Sequence, residues 1–237
     1  LTGELAVSKS TASAGGFLNI HSLQWDEEAL ALAGISNSML PALVDSEYTS
    51  SLSGEAARIL GLKDGTPVVI TGADGCMNQI ASGAFGDNCM TLSIGTSAAM
   101  RISTERPVLA DYPSTWCYAG IEGMWMSGCA TAGAGNCIEW IGEKILGFNG
   151  SITLKELDKG AETALWKGGA PFFLPFLAGE RCPGWNDTKS AMMCGLRIDN
   201  DIYDLYYAAL EGVLFNLKQC YELTIPIVGR PPEFMSV

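Results

Sequence analysis

The chain has 237 residues, 48% of them hydrophobic, which suffices for one large domain or two smaller ones. Its net charge of -12 argues against nucleic acid and anionic membrane surfaces as partners, while an anionic substrate could still be held by backbone N–H groups or a divalent cation. No stretch of about twenty apolar residues is available to span a bilayer, and eight cysteines without a C-x-x-C pair argue for reduced, cytoplasmic thiols over a zinc cluster or redox motif.

The opening Leu1-Thr2-Gly3-Glu4 has neither a basic n-region nor an apolar h-region, so it does not read as a secretory signal. It lacks an initiator Met, and the chain is expected to begin inside a longer polypeptide. Residues 26–33, Asp-Glu-Glu-Ala-Leu-Ala-Leu-Ala, predict a helix with acids in its first turn, closed by Gly34. The next segment ends at Met39-Leu40-Pro41. Ser53 to Leu60 predicts a short helix with Ser53 as N-cap and Gly61 as C-cap. After a turn at Lys63-Asp64-Gly65, the continuous apolar run from Pro67 to Thr71 predicts a buried strand. A helix over 76–84 follows, then a strand at Thr91-Leu92-Ser93-Ile94 and another through Met100-Arg101-Ile102. Residues 134–146 predict a helix with Ile138, Ile141 and Ile145 on one face. Phe172–Leu177 reads as an apolar strand and Leu205–Thr224 as a long helix, with Leu210, Val213, Leu214 and Leu217 at helical spacing. The pattern is mixed α/β, with no internal repeat, and a Gly86-Asp87-Asn88 turn marks the expected domain boundary. The lone His21 reads as a loop residue, and the Met and Trp residues as core filling.

Three short stretches could carry chemistry. In Gly72-Ala73-Asp74-Gly75 a single carboxylate follows an apolar run and sits among small residues. Ligands bind at strand tips in α/β proteins, and a carboxylate there can accept a hydroxyl proton. The same residue also suits a turn, where Asp hydrogen-bonds its own backbone. In Ser93-Ile94-Gly95-Thr96-Ser97, small residues after a strand let backbone N–H groups and two hydroxyls approach phosphate oxygens, or else form an ordinary hairpin turn. No G-x-x-x-x-G-K-[ST] and no G-x-G-x-x-G are present. Leu177 to Asp187 places a Glu180-Arg181 pair, Pro183 and Trp185 after an apolar strand, which is a shaped loop or a surface turn with a weak ion pair.

Taken together and in this order, these stretches carry a resemblance that runs over almost the whole chain. Its residues include Ser10-Thr11-Ala12-Ser13, Trp25-Asp26-Glu27, Leu40-Pro41, Gly72-Ala73-Asp74-Gly75, Ile94-Gly95-Thr96-Ser97, the loop Ala178-Gly179-Glu180-Arg181-Cys182-Pro183-Gly184-Trp185, and Ala209-Leu210-Glu211-Gly212-Val213. The chain resembles the FGGY carbohydrate kinases, which phosphorylate sugars and polyols with ATP; the loop and the Leu-Glu-Gly helix are its most family-specific parts. Within the family it leans toward gluconate kinases, through Asp74-Gly75, Gly95-Thr96-Ser97-Ala98 and Trp116-Cys117-Tyr118. Xylulose kinase is the near rival. Glycerol kinase fits less well, because its acid is usually followed by Gln where this chain has Gly75.

The resemblance implies an actin-like, ribonuclease-H-like pair of α/β domains. Residues 1–85 would be the C-terminal part of the first, sugar-binding domain, and 86–237 the N-terminal part of the second, nucleotide-binding domain. It implies Asp74 as general base, with Asp74 and Gly75 at the sugar. Gly95 and Thr96 would cradle ATP phosphate, with Gly135 and Glu139 at the nucleotide. The expected cofactors are ATP and Mg²⁺, with no metal ligand assigned; the expected partners are a sugar or sugar acid, with a homodimer as the oligomeric form to test. Three departures stand out. The family's opening Gly-Thr phosphate loop and its Gly-Gly-Gly adenosine segment have no counterpart in these 237 residues, and Ser8-Lys9-Ser10 stands where many relatives have an Asp-containing stretch. The chain is therefore expected to be incomplete at both ends and, by itself, without turnover. Two alternatives follow: a fragment that only self-associates, and a sugar-binding or regulatory actin-like protein, against which the retained Asp74 speaks.

Overall fold

Capping chemistry sets the helix boundaries of the first part of the chain. The structure, a computed structural model, describes residues 1–121, 123–146 and 152–237. The chain divides into two compact units. One comprises Leu1–Cys89, Ile102–Leu109 and Cys117–Ser127; the other comprises Met90–Arg101, Ala110–Trp116 and Gly128–Val237.

In the first unit, the helix Glu27–Ala33 begins where the Asp26 carboxylate accepts the Ala29 N–H at 2.9 Å, and ends at Gly34 with φ 71°. A side-chain oxygen on the first free N–H groups and a left-handed glycine at the end are the expected solutions to unpaired helix termini. The helix Gly54–Leu60 repeats the device with Ser53 and Gly61. Both helices bury a narrow face, Leu30 in one and Ala57 in the other. Strands Ala6–Ser8 and Ala42–Val44 pair in parallel, with Ser8 opposite Val44. His21 lies in a turn, as expected.

The predicted buried strand over 67–71 is corrected in length and setting. It covers only Pro67–Val69 and pairs antiparallel with Thr49–Ser51, Thr49 opposite Val69. Pro67 and Val69 face outward while Val68 is half-buried, and Val69 is 61% exposed. A run of apolar residues signals burial on both faces only where both faces are covered; this strand has a single neighbour and one inward side chain. The helix predicted over 76–84 spans Asp74–Ala81 instead, so Asp74 is its first residue rather than a residue of the preceding turn.

Strands Cys89–Ile94 and Ala98–Thr104 form as predicted and lie in a five-stranded sheet. Its order is Phe234–Ser236, Cys89–Ile94, Ala98–Thr104, Trp125–Thr131, Trp116–Ala119. In the second unit the predicted helix over 134–146 is α-helical only across Gly135–Trp140 and continues as π-helix through Ile141–Ile145. The wider turn rotates the stripe: Ile141 is 1% exposed and Ile145 51%. The apolar run from Phe172 is a strand only to Leu174, paired antiparallel with Met192–Cys194, because Pro175 has no N–H to continue a ladder.

The long predicted helix is longer still, Ile202–Val228, and closes at Gly229 with φ 82°. Its start is a capping box in which Asp201 accepts the Asp204 N–H at 3.1 Å and Asp204 accepts the Asp201 N–H at 3.0 Å. It packs on the helix Leu154–Lys167 through buried Leu157, Ala161 and Tyr206. Gly160 leaves room for the Tyr203 ring against the helix, since a Cβ there would lie 1.9 Å from that ring. Among the described residues no helix is long and apolar enough to cross a membrane.

Asp204 yields a stability prediction. Its side chain is 1% exposed and accepts from Lys167 Nζ at 2.9 Å and Asn200 Nδ2 at 3.3 Å as well as from the Asp201 N–H. Burial alone would raise its carboxyl, but the Lys167, Asp201 and Asn200 hydrogen bonds win and hold it below the ordinary range. A carboxyl lowered by folding contributes stability that is complete above its unfolded value, about pH 4, and is lost as pH falls through the folded value. Thermal melts from pH 7 to pH 2 should therefore show an acid-side loss in wild type that Asp204→Asn largely lacks. The variant should be less stable at pH 7 by roughly 1–3 kcal/mol. Parallel acid limbs in the two proteins would contradict this account.

Candidate active site

The first cluster forms where the chain leaves its short antiparallel pair. After Val69 the chain has no regular secondary structure through Ala73 and then enters the helix Asp74–Ala81. Gly72 is required for space: a Cβ would meet Met77 Cε at 2.7 Å and Ser10 Oγ at 2.9 Å. Ser10 is fully buried and accepts the Ala73 N–H at 3.1 Å, which fixes the residue before Asp74. Asp74 is exposed, and its Oδ1 accepts the Gly75 N–H at 2.6 Å. One carboxylate oxygen is thus anchored to the backbone, and Oδ2 is the oxygen available to a hydroxyl. An acid in the first turn is also favoured by the helix dipole. Cys76, two residues on, is fully buried, and its thiol is pushed up first by burial, against hydrogen bonds from Ser10 and the backbone at Ile121. It is packing rather than chemistry.

The second cluster lies in the other unit and joins three of the predicted nucleotide residues. Gly95, Thr96 and Ser97 form the exposed tip between strands Cys89–Ile94 and Ala98–Thr104. The Gly95 N–H is spent within the tip, on the Ser97 carbonyl at 2.9 Å. Gly135 donates its N–H to the Gly95 carbonyl at 2.8 Å, and Asn136 donates to the Thr96 carbonyl at 3.2 Å. A Cβ at Gly135 would lie 2.5 Å from that Gly95 oxygen, so only glycine permits the approach. Glu139 is exposed on the same helix, one turn beyond Gly135.

Two residues with positioning roles went unassigned at the level of sequence. Ser10 stood in a quoted motif but carried no role, because its partner Ala73 is 63 positions away. The Asn136 side chain accepts the Ala134 N–H at 2.8 Å and donates to the Ala132 carbonyl at 3.1 Å, locking the corner that presents Gly135. A Gly-Asn pair at a predicted helix start was the available signal for it. The loop Ala178–Trp185 is shaped, not a plain surface turn. Glu180 is 6% exposed and pairs with Lys189 at 2.7 Å, and the Cys182 N–H donates to the Ala130 carbonyl at 2.9 Å.

What the tip leaves for an anion is exposure and the Thr96 and Ser97 hydroxyls, since the Gly95 N–H is already spent on Ser97. It does not supply a metal cage, since among the described residues no three His, Cys, Asp or Glu side chains cluster to hold an ion.

Comparison with known proteins identifies the family. Residues 1–81 match the N-terminal domain model of the FGGY family of carbohydrate kinases, and residues 90–224 match its C-terminal domain model. The gluconokinase of Bacillus licheniformis is 32% identical over 225 residues, covering 92% of this chain and 44% of that protein. The xylulose kinase of Klebsiella pneumoniae is 29% identical over 236 residues, covering 98% of this chain and 47% of that protein. The crystal structure of gluconate kinase from Lactobacillus acidophilus superposes with a TM-score of 0.89 at 25% identity, over 100% of this chain and 48% of that one. The chain thus spans about half the length of the relatives it matches. Two domain models in the family's order, and a fold shared with its solved members, show that this chain belongs to the FGGY family of carbohydrate kinases.

Proposed function

We propose that the chain serves ATP-dependent phosphorylation of a hydroxyl on a sugar or sugar acid, with gluconate as the first substrate to test. The observation that carries this reading is Asp74, an exposed carboxylate with Oδ1 held by the Gly75 N–H and Oδ2 left for a substrate proton. Phosphoryl transfer asks little covalent work of a protein; it asks for a positioned base and for stabilised phosphate charge. In this reading Oδ2 of Asp74 takes the proton of the attacking hydroxyl, and Gly75 keeps bulk away from the sugar. Gly95 and Thr96 receive phosphate oxygens, Gly135 keeps that tip in place, and Glu139 borders the nucleotide. ATP supplies the transferred group. Mg²⁺ would arrive with the phosphates, as is usual where it keeps waters and substrate oxygens as ligands.

Residues 1–85 are then the later part of a sugar-binding domain and 86–237 the earlier part of a nucleotide-binding domain. The compartment is the cytoplasm, where ATP is supplied and eight thiols stay reduced. A coupled assay of the full-length protein across gluconate, xylulose, ribulose and glycerol should give gluconate the highest kcat/KM. A panel led by xylulose would transfer the assignment to that sugar, and one with no turnover of any sugar would overturn the kinase reading.

A further inference from the structure

The first unit holds a cavity of about 250 Å³ that the assignments above leave unused. Lys9, Asp45 and Ser46 line its polar side, and Leu23, Met124 and Trp125 its apolar side. It is smaller than the roughly 300–1,000 Å³ pockets that take drug-sized ligands, a size suited to a short carbon chain. Lys9 Nζ donates to Asp45 Oδ1 at 2.8 Å. The two members of the pair are unequally covered, with the Lys9 side chain 27% exposed and that of Asp45 68% exposed. The ammonium is therefore the held member, and the carboxylate is the one that water can easily take. Among the described residues lining the cavity, Lys9 is the one cation.

The cavity is tied to the Asp74 corner at two points. Ser10, next to Lys9 in sequence, accepts the Ala73 N–H at 3.1 Å. Gly120, in the cavity wall, lies so close to the Asp74 helix that a Cβ there would meet Cys76 Sγ at 3.3 Å. The backbone at the cavity is also constrained: Leu23 holds φ 53°, costly for a side chain of its size.

We propose that this cavity receives the far end of the sugar and that Lys9 selects substrates ending in a carboxylate. The inference rests on the kinase reading of Asp74 and names the substrate class for that site. An aldonic acid would place its carboxylate on the Lys9 ammonium in exchange for Asp45, whose exposed ion pair is weak. Both are ammonium–carboxylate hydrogen bonds, so the exchange favours the substrate to the extent that its carboxylate is better shielded from water than that of Asp45, which is 68% exposed. The carbon chain lies against Leu23, Met124 and Trp125. A neutral ketose has no group that makes this exchange.

Calorimetric titration of the full-length protein with gluconate and with xylulose, beside kcat/KM for each, tests the assignment. Lys9→Met should weaken gluconate relative to xylulose by about tenfold or more, the loss expected of one hydrogen bond to a charged group. Lys9→Arg should restore most of the difference, and Asp45→Asn should tighten gluconate by removing its competitor. An equal loss for both sugars in Lys9→Met, or unchanged gluconate affinity, overturns the role of Lys9. So does xylulose turnover by a wild type that does not bind gluconate, although that result leaves the kinase reading standing. Lys9-dependent gluconate binding without turnover of any sugar would support the subsite and overturn the kinase reading alone. If Lys9→Met fails to fold, the Asp45→Asn titration decides the question: tighter gluconate with xylulose unchanged supports the subsite, and unchanged or weaker gluconate overturns it.

Discussion

Asp74→Asn in the full-length protein should lower kcat by about 10²–10⁴-fold, the range for loss of a general base. The substitution is nearly isosteric, and its amide oxygen can still accept the Gly75 N–H that anchors Oδ1 in the wild type. Asn also remains acceptable in a helix first turn, so the Asp74–Ala81 helix should persist. What disappears is the capacity of the second oxygen to take a proton. Nucleotide affinity should be nearly unchanged, because the residues proposed to receive phosphate, Gly95 and Thr96 with Gly135 behind them, lie in the other unit. Steady-state kinetics and calorimetric titration with ATP on the same preparation separate the effects. A near-normal kcat would return Asp74 to the part of a helix-start residue. A matching loss of ATP affinity would make its role structural or metal-linked.

Gly135→Ala is the second large effect. The added Cβ would sit 2.5 Å from the Gly95 carbonyl oxygen, a backbone atom with no flexible end to swing aside. The Gly135 N–H also donates to that oxygen, so relief by separation costs the 2.8 Å hydrogen bond. Overpacking of this kind costs about 1–3 kcal/mol. If the tip yields while the helix stays, most of that cost falls on the phosphate site, and ATP affinity drops by roughly 5- to 150-fold. Sugar binding, measured without nucleotide, should be spared. Wild-type ATP affinity in Gly135→Ala would show that the cradle does not hold phosphate; a global fall in melting temperature with both ligands weakened would show a structural position only.

Local chemistry in the sequence was sufficient for much of this protein. Asp26 and Gly34, and Ser53 and Gly61, bound their helices because capping depends on residues within one turn of each other. Asp74 and the Gly95-Thr96 tip were legible as candidates for the same reason, since small residues around one acid or hydroxyl read locally. Family membership was legible because several such stretches recur in one order. Tertiary structure decided whatever depended on distant partners. The 67–69 strand looked buried from its composition, yet coverage is supplied by neighbours, and among the described residues Thr49–Ser51 alone pairs with it. Asp74 heads its helix because buried Ser10, from the other end of the first unit, takes the Ala73 N–H. Gly135 became indispensable only when its Cβ direction met the carbonyl of Gly95, forty positions earlier, and Lys9 became a candidate selector only when Asp45 and Trp125 closed a cavity around it. Capping and turn energies act over a few residues and are written in sequence order; close approach, burial and cavity walls are sums over contacts that the chain makes only after it has folded.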